Sequence, residues 1–70
     1  MMPLMLADPG RENIIRRVGG SPEMKKHLED LGFIAGESVT VISEINGDII
    51  VKVKGSRIAV SREMAGRIMI

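Results

Sequence analysis

Three residues of this chain have types and spacing that could hold a metal ion: Glu23, His27 and Asp30. His27 follows Glu23 by four positions and precedes Asp30 by three, so on a helix all three side chains lie close on one side. Hard and borderline divalent metals take carboxylate and imidazole ligands. A histidine with two carboxylates on an exposed helix lacks the ligand count of a closed site, and Glu23 already suits the positive end of the helix dipole. These residues are read as a solvated helix face, and no metal or cofactor is assigned.

Other chemistry has less support. One histidine and no cysteine leave no nucleophile–base–acid set, which argues against an enzyme. There is no GxxxxGK[ST] stretch to cradle a nucleotide. Of six methionines, Met1, Met2 and Met5 are terminal, while Met24, Met64 and Met69 read as core or edge residues, since a thioether packs more often than it coordinates. A single Phe with no Tyr or Trp removes the aromatic grooves that take proline-rich ligands and the platforms on which single-stranded nucleic acids stack. Ten Lys plus Arg against nine Asp plus Glu give a net charge of +1, a weak excess for a nucleic-acid partner. The absence of cysteine suits a reducing cytoplasm. No apolar run approaches a membrane span, and the start lacks the basic region of a signal peptide. The expectation is a soluble cytoplasmic chain that forms one domain over residues 1–70 and works through a binding surface.

The elements that would build that surface follow from short signals. Leu4 and Leu6 alternate, which predicts a short strand, and Asp8-Pro9-Gly10-Arg11 reads as a turn. "NIIRRV", residues 13–18, reads as a strand whose inward face is ambiguous, because Ile14 and Val18 have one parity and Ile15 the other. Gly19-Gly20 ends it. Ser21 and Pro22 have the types favoured at the N-cap and the first helical position. Met24, Leu28 and Leu31 then form one apolar stripe, and Gly32 is placed to end the helix in a left-handed conformation. In "LGFIAG", residues 31–36, Phe33 or Ile34 is expected to fold back on the last helical turn as a plug for the core, in preference to forming an exposed tip.

Residues 37–60 read as β-structure. Asn46-Gly47 is a hairpin signal, but a two-residue loop would set Val41 against Lys52. A three-residue loop, Ile45-Asn46-Gly47, sets Val41 against Val51, Val39 against Val53 and Ser43 against Ile49, and a one-residue slip exchanges the faces. The three-residue loop is therefore expected. Gly55-Ser56 is expected as a type II′ loop that pairs Val53 with Ile58 and Val51 with Val60. A helical turn capped by Ser61 precedes a last strand at residues 67–70. The expected fold is mostly β: a small SH3-like barrel of about five antiparallel strands, with one inserted α-helix and a short helical turn before the last strand.

This register leaves Thr40, Ile42, Ile50, Lys52, Lys54 and Arg57 on the outer face, with Ile42 directly across from Ile50. An aliphatic pair rimmed by cations is a candidate partner-binding surface, comprising Ile42, Ile50, Lys52, Lys54 and Arg57. The plainer readings are cover by the N-terminal segment or ordinary exposed aliphatics.

Four segments in this order carry a family resemblance: Leu31-Gly32-Phe33-Ile34-Ala35-Gly36, Val39-Thr40-Val41, Gly55-Ser56-Arg57-Ile58-Ala59 and Ala65-Gly66-Arg67-Ile68-Met69-Ile70. Together they resemble the ferrous iron transport protein A family, FeoA, over nearly the whole chain. Ala35 stands where the family usually has Pro, which makes that turn less rigid, and Ile70 replaces Val. The resemblance implies an SH3-like barrel in the cytoplasm that partners the cytoplasmic GTPase part of the membrane ferrous iron transporter FeoB. It also implies an alternative, since the same fold resembles the C-terminal domain of some metal-dependent repressors: a regulatory module acting with such a repressor or with nucleic acid.

Overall fold

The computed structural model describes all of residues 1–70. The helix forms where its signals lie. The Ser21 hydroxyl accepts a 3.2 Å hydrogen bond from the Met24 amide, Pro22 occupies the first turn, and α1 runs over Pro22–Asp30. Its exit is set by Gly32 at φ +109°. The Gly32 amide bonds to the Glu29 carbonyl and the Phe33 amide to the Leu28 carbonyl, each at 3.0 Å. This pair of bonds is the Schellman closure of a helix C-terminus. It turns Phe33 into the core, where it is fully buried, and leaves Ile34 exposed. Burying a side chain of this size contributes about 1.5–3 kcal/mol, a large part of what holds so small a domain together.

Around the helix lie six strands: β1 (Glu12–Ile14), β2 (Arg17–Val18), β3 (Ser38–Ile45), β4 (Asp48–Val53), β5 (Ser56–Ser61) and β6 (Ile68–Met69). The main sheet has the order β1-β3-β4-β5, and β2 pairs with β6 in a second. All pairings are antiparallel. The expected strand over residues 13–18 is therefore two strands. Its ambiguous parity has a physical source: the chain turns a corner between the sheets, and Ile15 points into the core there. The corner is held by the Ile15 amide on the Glu37 carbonyl and the Gly36 amide on the Ile15 carbonyl. The second helix, α2 (Arg62–Ala65), is capped by the Ser61 hydroxyl, which accepts from the Met64 amide at 3.1 Å. The architecture is the mostly β, SH3-like arrangement expected.

Other local expectations are corrected. Leu4–Leu6 forms a single 3-10 turn, in which Leu4 is buried and Leu6 exposed. The segment before it pairs with the end of the chain, through reciprocal bonds between Met2 and Ile70. The loop of the first hairpin is two residues, not three: Ile45 pairs with Asp48, and Asn46 and Gly47 have φ +52° and +87°. Positive φ at both positions is the type I′ turn that Asn-Gly favours. Val41 nevertheless faces Val51 and Val39 faces Val53, because the register shifts between Val41 and Ser43. Ile42 is the extra residue of this β-bulge, which lets a tight turn coexist with a one-sided core. As a result Ser43 pairs with Ile50, and Ile42 does not sit directly across from Ile50.

The second hairpin turns at Lys54-Gly55, with φ +50° and +77°, so it too is type I′ and the expected Gly55-Ser56 loop is wrong. Val53 pairs with Ser56, Lys52 with Arg57, Val51 with Ile58 and Ile49 with Val60. The core joins Val39, Val41, Ile49, Val51, Val53 and Val60 of the sheet to Leu28 and Phe33 of the helix end and to Ala65 and Ile68 of the C-terminal segment.

Candidate functional site

The outer face of the main sheet carries one rung that crosses all four strands: Glu12 pairs with Thr40, Thr40 with Lys52, and Lys52 with Arg57. Val53 and Ser56 flank the two-residue loop and so exchange both hydrogen bonds, which makes Lys52 and Arg57 a non-hydrogen-bonded pair, the closer kind. Like charges in that position are destabilising. Both side chains are exposed, and the two ion pairs of the molecule involve other residues.

Beside this rung a groove of about 270 Å³ is lined by Glu12, Glu37, Ser38, Thr40, Lys52, Lys54 and Gly55, none of them apolar. Lys54 Nζ lies 3.9 Å from Glu37 Oε1 with both side chains about half exposed, a contact worth well under about 1 kcal/mol. The Lys54 stem lies over Gly32, with Cδ 3.6 Å from where a Cβ on that glycine would be. Lys54 thus tops the helix end as well as bordering the groove, although a lysine at φ +50° is a costly turn residue.

The aliphatic part of the predicted surface lies next to the rung. Ile50 pairs with Ser43 on one side and Ala59 on the other. Ile42 and Ile50 are half-buried rather than exposed, and neither belongs to the core or to the partly buried residues packed against it. The structure thus brings Ile50, Lys52 and Arg57 together, sets Ile42 in the neighbouring bulge, and holds Lys54 at the hairpin turn. Glu12 was missed as a groove residue because the face of β1 could not be read from its parity, and Glu37 and Ser38 because the pairing of β1 with β3 that closes the groove was not foreseen. Ala59 was missed because the expected second loop set a different register.

On the helix, Glu23, His27 and Asp30 are exposed. Nowhere does the fold gather three His, Asp or Glu side chains at metal-holding distances. No helix is long and apolar enough to cross a membrane.

Comparison with known proteins decides the family. The model of the FeoA domain matches residues 2–70. The chain belongs to the FeoA family. An Fe(2+) transport protein A of Methanocaldococcus jannaschii is 34% identical over 70 residues, which is 100% of this chain and 85% of that protein. A crystal structure described as an iron uptake regulatory protein, FeoA, superposes with a TM-score of 0.88 at 31% identity, covering 97% of this FeoA chain and 90% of the other. The zinc-complexed FeoA of Stenotrophomonas maltophilia, described as a procaryotic SH3 domain protein, superposes with a TM-score of 0.85 at 21% identity over 99% and 88% of the two chains. A manganese-dependent transcriptional repressor shares the fold alone, with a TM-score of 0.83 at 19% identity, over 94% of this chain and 38% of that one.

Proposed function

We propose that this FeoA chain is a non-enzymatic accessory module of ferrous iron uptake, which docks on the cytoplasmic part of a FeoB-type transporter and modulates it. Family membership supports the process, through relatives described as Fe(2+) transport and iron uptake proteins. The observation that supports docking is the outer face itself. Lys52 and Arg57 stand side by side without an acidic partner, next to half-buried Ile42 and Ile50, which lie outside the core. Juxtaposed cations cost stability in the isolated chain, and a partner's carboxylates would relieve that cost. The aliphatic pair supplies apolar area for the centre of a contact, and Lys54 extends the charged rim.

The test is a binding titration of the purified chain against the transporter's cytoplasmic part at two ionic strengths. The reading expects saturable binding that weakens as salt rises; absence of binding at both strengths sinks it. The alternative, a module acting with a metal-dependent repressor or nucleic acid, has only the shared fold behind it, and a net charge of +1 gives it little electrostatic support. Steeply salt-dependent DNA binding would revive it.

A further inference from the structure

β5 is the edge of the main sheet, and the strand is paired on one side only. Since Val53 and Ser56 exchange both bonds across the tight loop, Ser56, Ile58 and Val60 direct their backbone groups toward β4. Arg57 and Ala59 therefore direct theirs outward. No backbone hydrogen bond from a turn, loop or cap reaches either residue. Both are exposed, and Ala59 is too small to obstruct an incoming chain. The side chains of the same two residues lie on the outer face, Arg57 beside Lys52 and Ala59 beside Ile50.

We propose that the β5 edge accepts an extended acidic segment of a partner protein as an added strand. One carboxylate of the segment lies over Lys52 and Arg57, and an aliphatic residue two positions away lies over Ala59 and Ile50. This deepens the docking reading above, on which the choice of partner rests. Main-chain bonds at an edge supply affinity and alternate side chains supply specificity. Successive same-face residues of a strand are two apart, so the cationic pair and the aliphatic pair match an acid and an aliphatic at that spacing. Charge selects the occupant. A second copy of this chain would bring Lys52, Lys54 and Arg57 against the same cations, which is how natural sheets keep exposed edges from pairing with themselves. An acidic strand meets no such barrier.

The probe is the capped peptide Thr-Val-Thr-Glu-Thr-Val-Thr, titrated into isotope-labelled FeoA and followed by amide chemical shifts and hydrogen exchange. The expected result is saturable shifts centred on the Arg57 and Ala59 amides, with slowed exchange at both. Replacing the peptide's Glu by Lys should abolish the shifts, and Arg57→Glu, which sets a carboxylate opposite Lys52, should weaken binding tenfold or more without lowering the melting temperature. N-methylating successive peptide amides should block binding at alternate positions only, because an added strand turns every second amide toward the edge. Equal effects at both parities, or equal shifts from inorganic phosphate or an oligonucleotide, would show simple anion attraction and overturn the proposal. Concentration-dependent dimerisation through Arg57 and Ala59 without peptide would overturn it in favour of a second copy. Absence of shifts at millimolar peptide would also overturn it. The transporter's cytoplasmic part, titrated in parallel, separates the two readings. If it binds wild type and Arg57→Glu equally, the edge proposal falls, and docking on the transporter stands only without the Lys52–Arg57 face. If it binds neither while the peptide binds as expected, the docking reading falls and the edge site stands.

Discussion

Lys52 lies directly across the β4–β5 ladder from Arg57, as a like-charged pair in the closer type of cross-strand position. The pair predicts opposite effects of one substitution on stability and on binding. Lys52→Glu places a carboxylate opposite the guanidinium and should raise stability by about 0.2–1 kcal/mol. The same change should weaken partner binding. A thermal melt and a binding titration on the one variant check both; a variant that is less stable and binds as well as wild type would remove the pair from the account.

The first hairpin depends on its turn. Gly47 sits at φ +87° with open space around it, so backbone conformation alone restricts the position. Gly47→Val should cost about 1 kcal/mol or more, since a β-branched residue is strained at positive φ. Chemical denaturation gives the value, and an unchanged midpoint would contradict the type I′ geometry.

Two other glycines should separate clearly. Gly32 has φ +109° and closes α1, so Gly32→Ala should destabilise by about 1–3 kcal/mol. Gly19 has no positive φ, and a Cβ there would meet only the Arg67 carbonyl oxygen at 3.7 Å. Gly19→Ala should therefore stay within about 0.5 kcal/mol of wild type. Comparable losses in the two melts would refute the helix-closure argument.

Phe33 is fully buried between the helix end and the sheet core. Phe33→Ala should cost about 3–5 kcal/mol, enough to leave much of so small a domain unfolded. Ile42→Glu with Ile50→Lys should cost much less, because those side chains are only half-buried and lie outside the core. Circular dichroism melts of the two variants should rank in that order.

How much of this was legible in the sequence differs by element. α1 was legible at both ends, because Ser21, Pro22 and Gly32 act locally through capping and positive φ. The valine pairing of β3 with β4 was legible because a buried face permits only one parity. The Asn46-Gly47 loop and that pairing looked incompatible, and the bulge at Ile42 that reconciles them carries no residue signal of its own. The Lys54-Gly55 turn was missed because lysine at φ +50° violates turn preference, and the covering of Gly32 by its stem is a tertiary matter. Of the binding surface, Lys52 and Arg57 were legible as outward charges. Their direct opposition, and the free edge at Ala59, depend on a register that sequence pattern set wrongly.

The central claim, that this FeoA chain docks through the Lys52–Arg57 face, is tested most directly by the double reversal Lys52→Glu with Arg57→Glu. It keeps two like charges opposed, so the melting temperature should stay near that of wild type. Titrated against the cytoplasmic part of the FeoB-type transporter, it should bind at least tenfold more weakly than wild type. Affinity equal to wild type at an unchanged melting temperature would contradict the account.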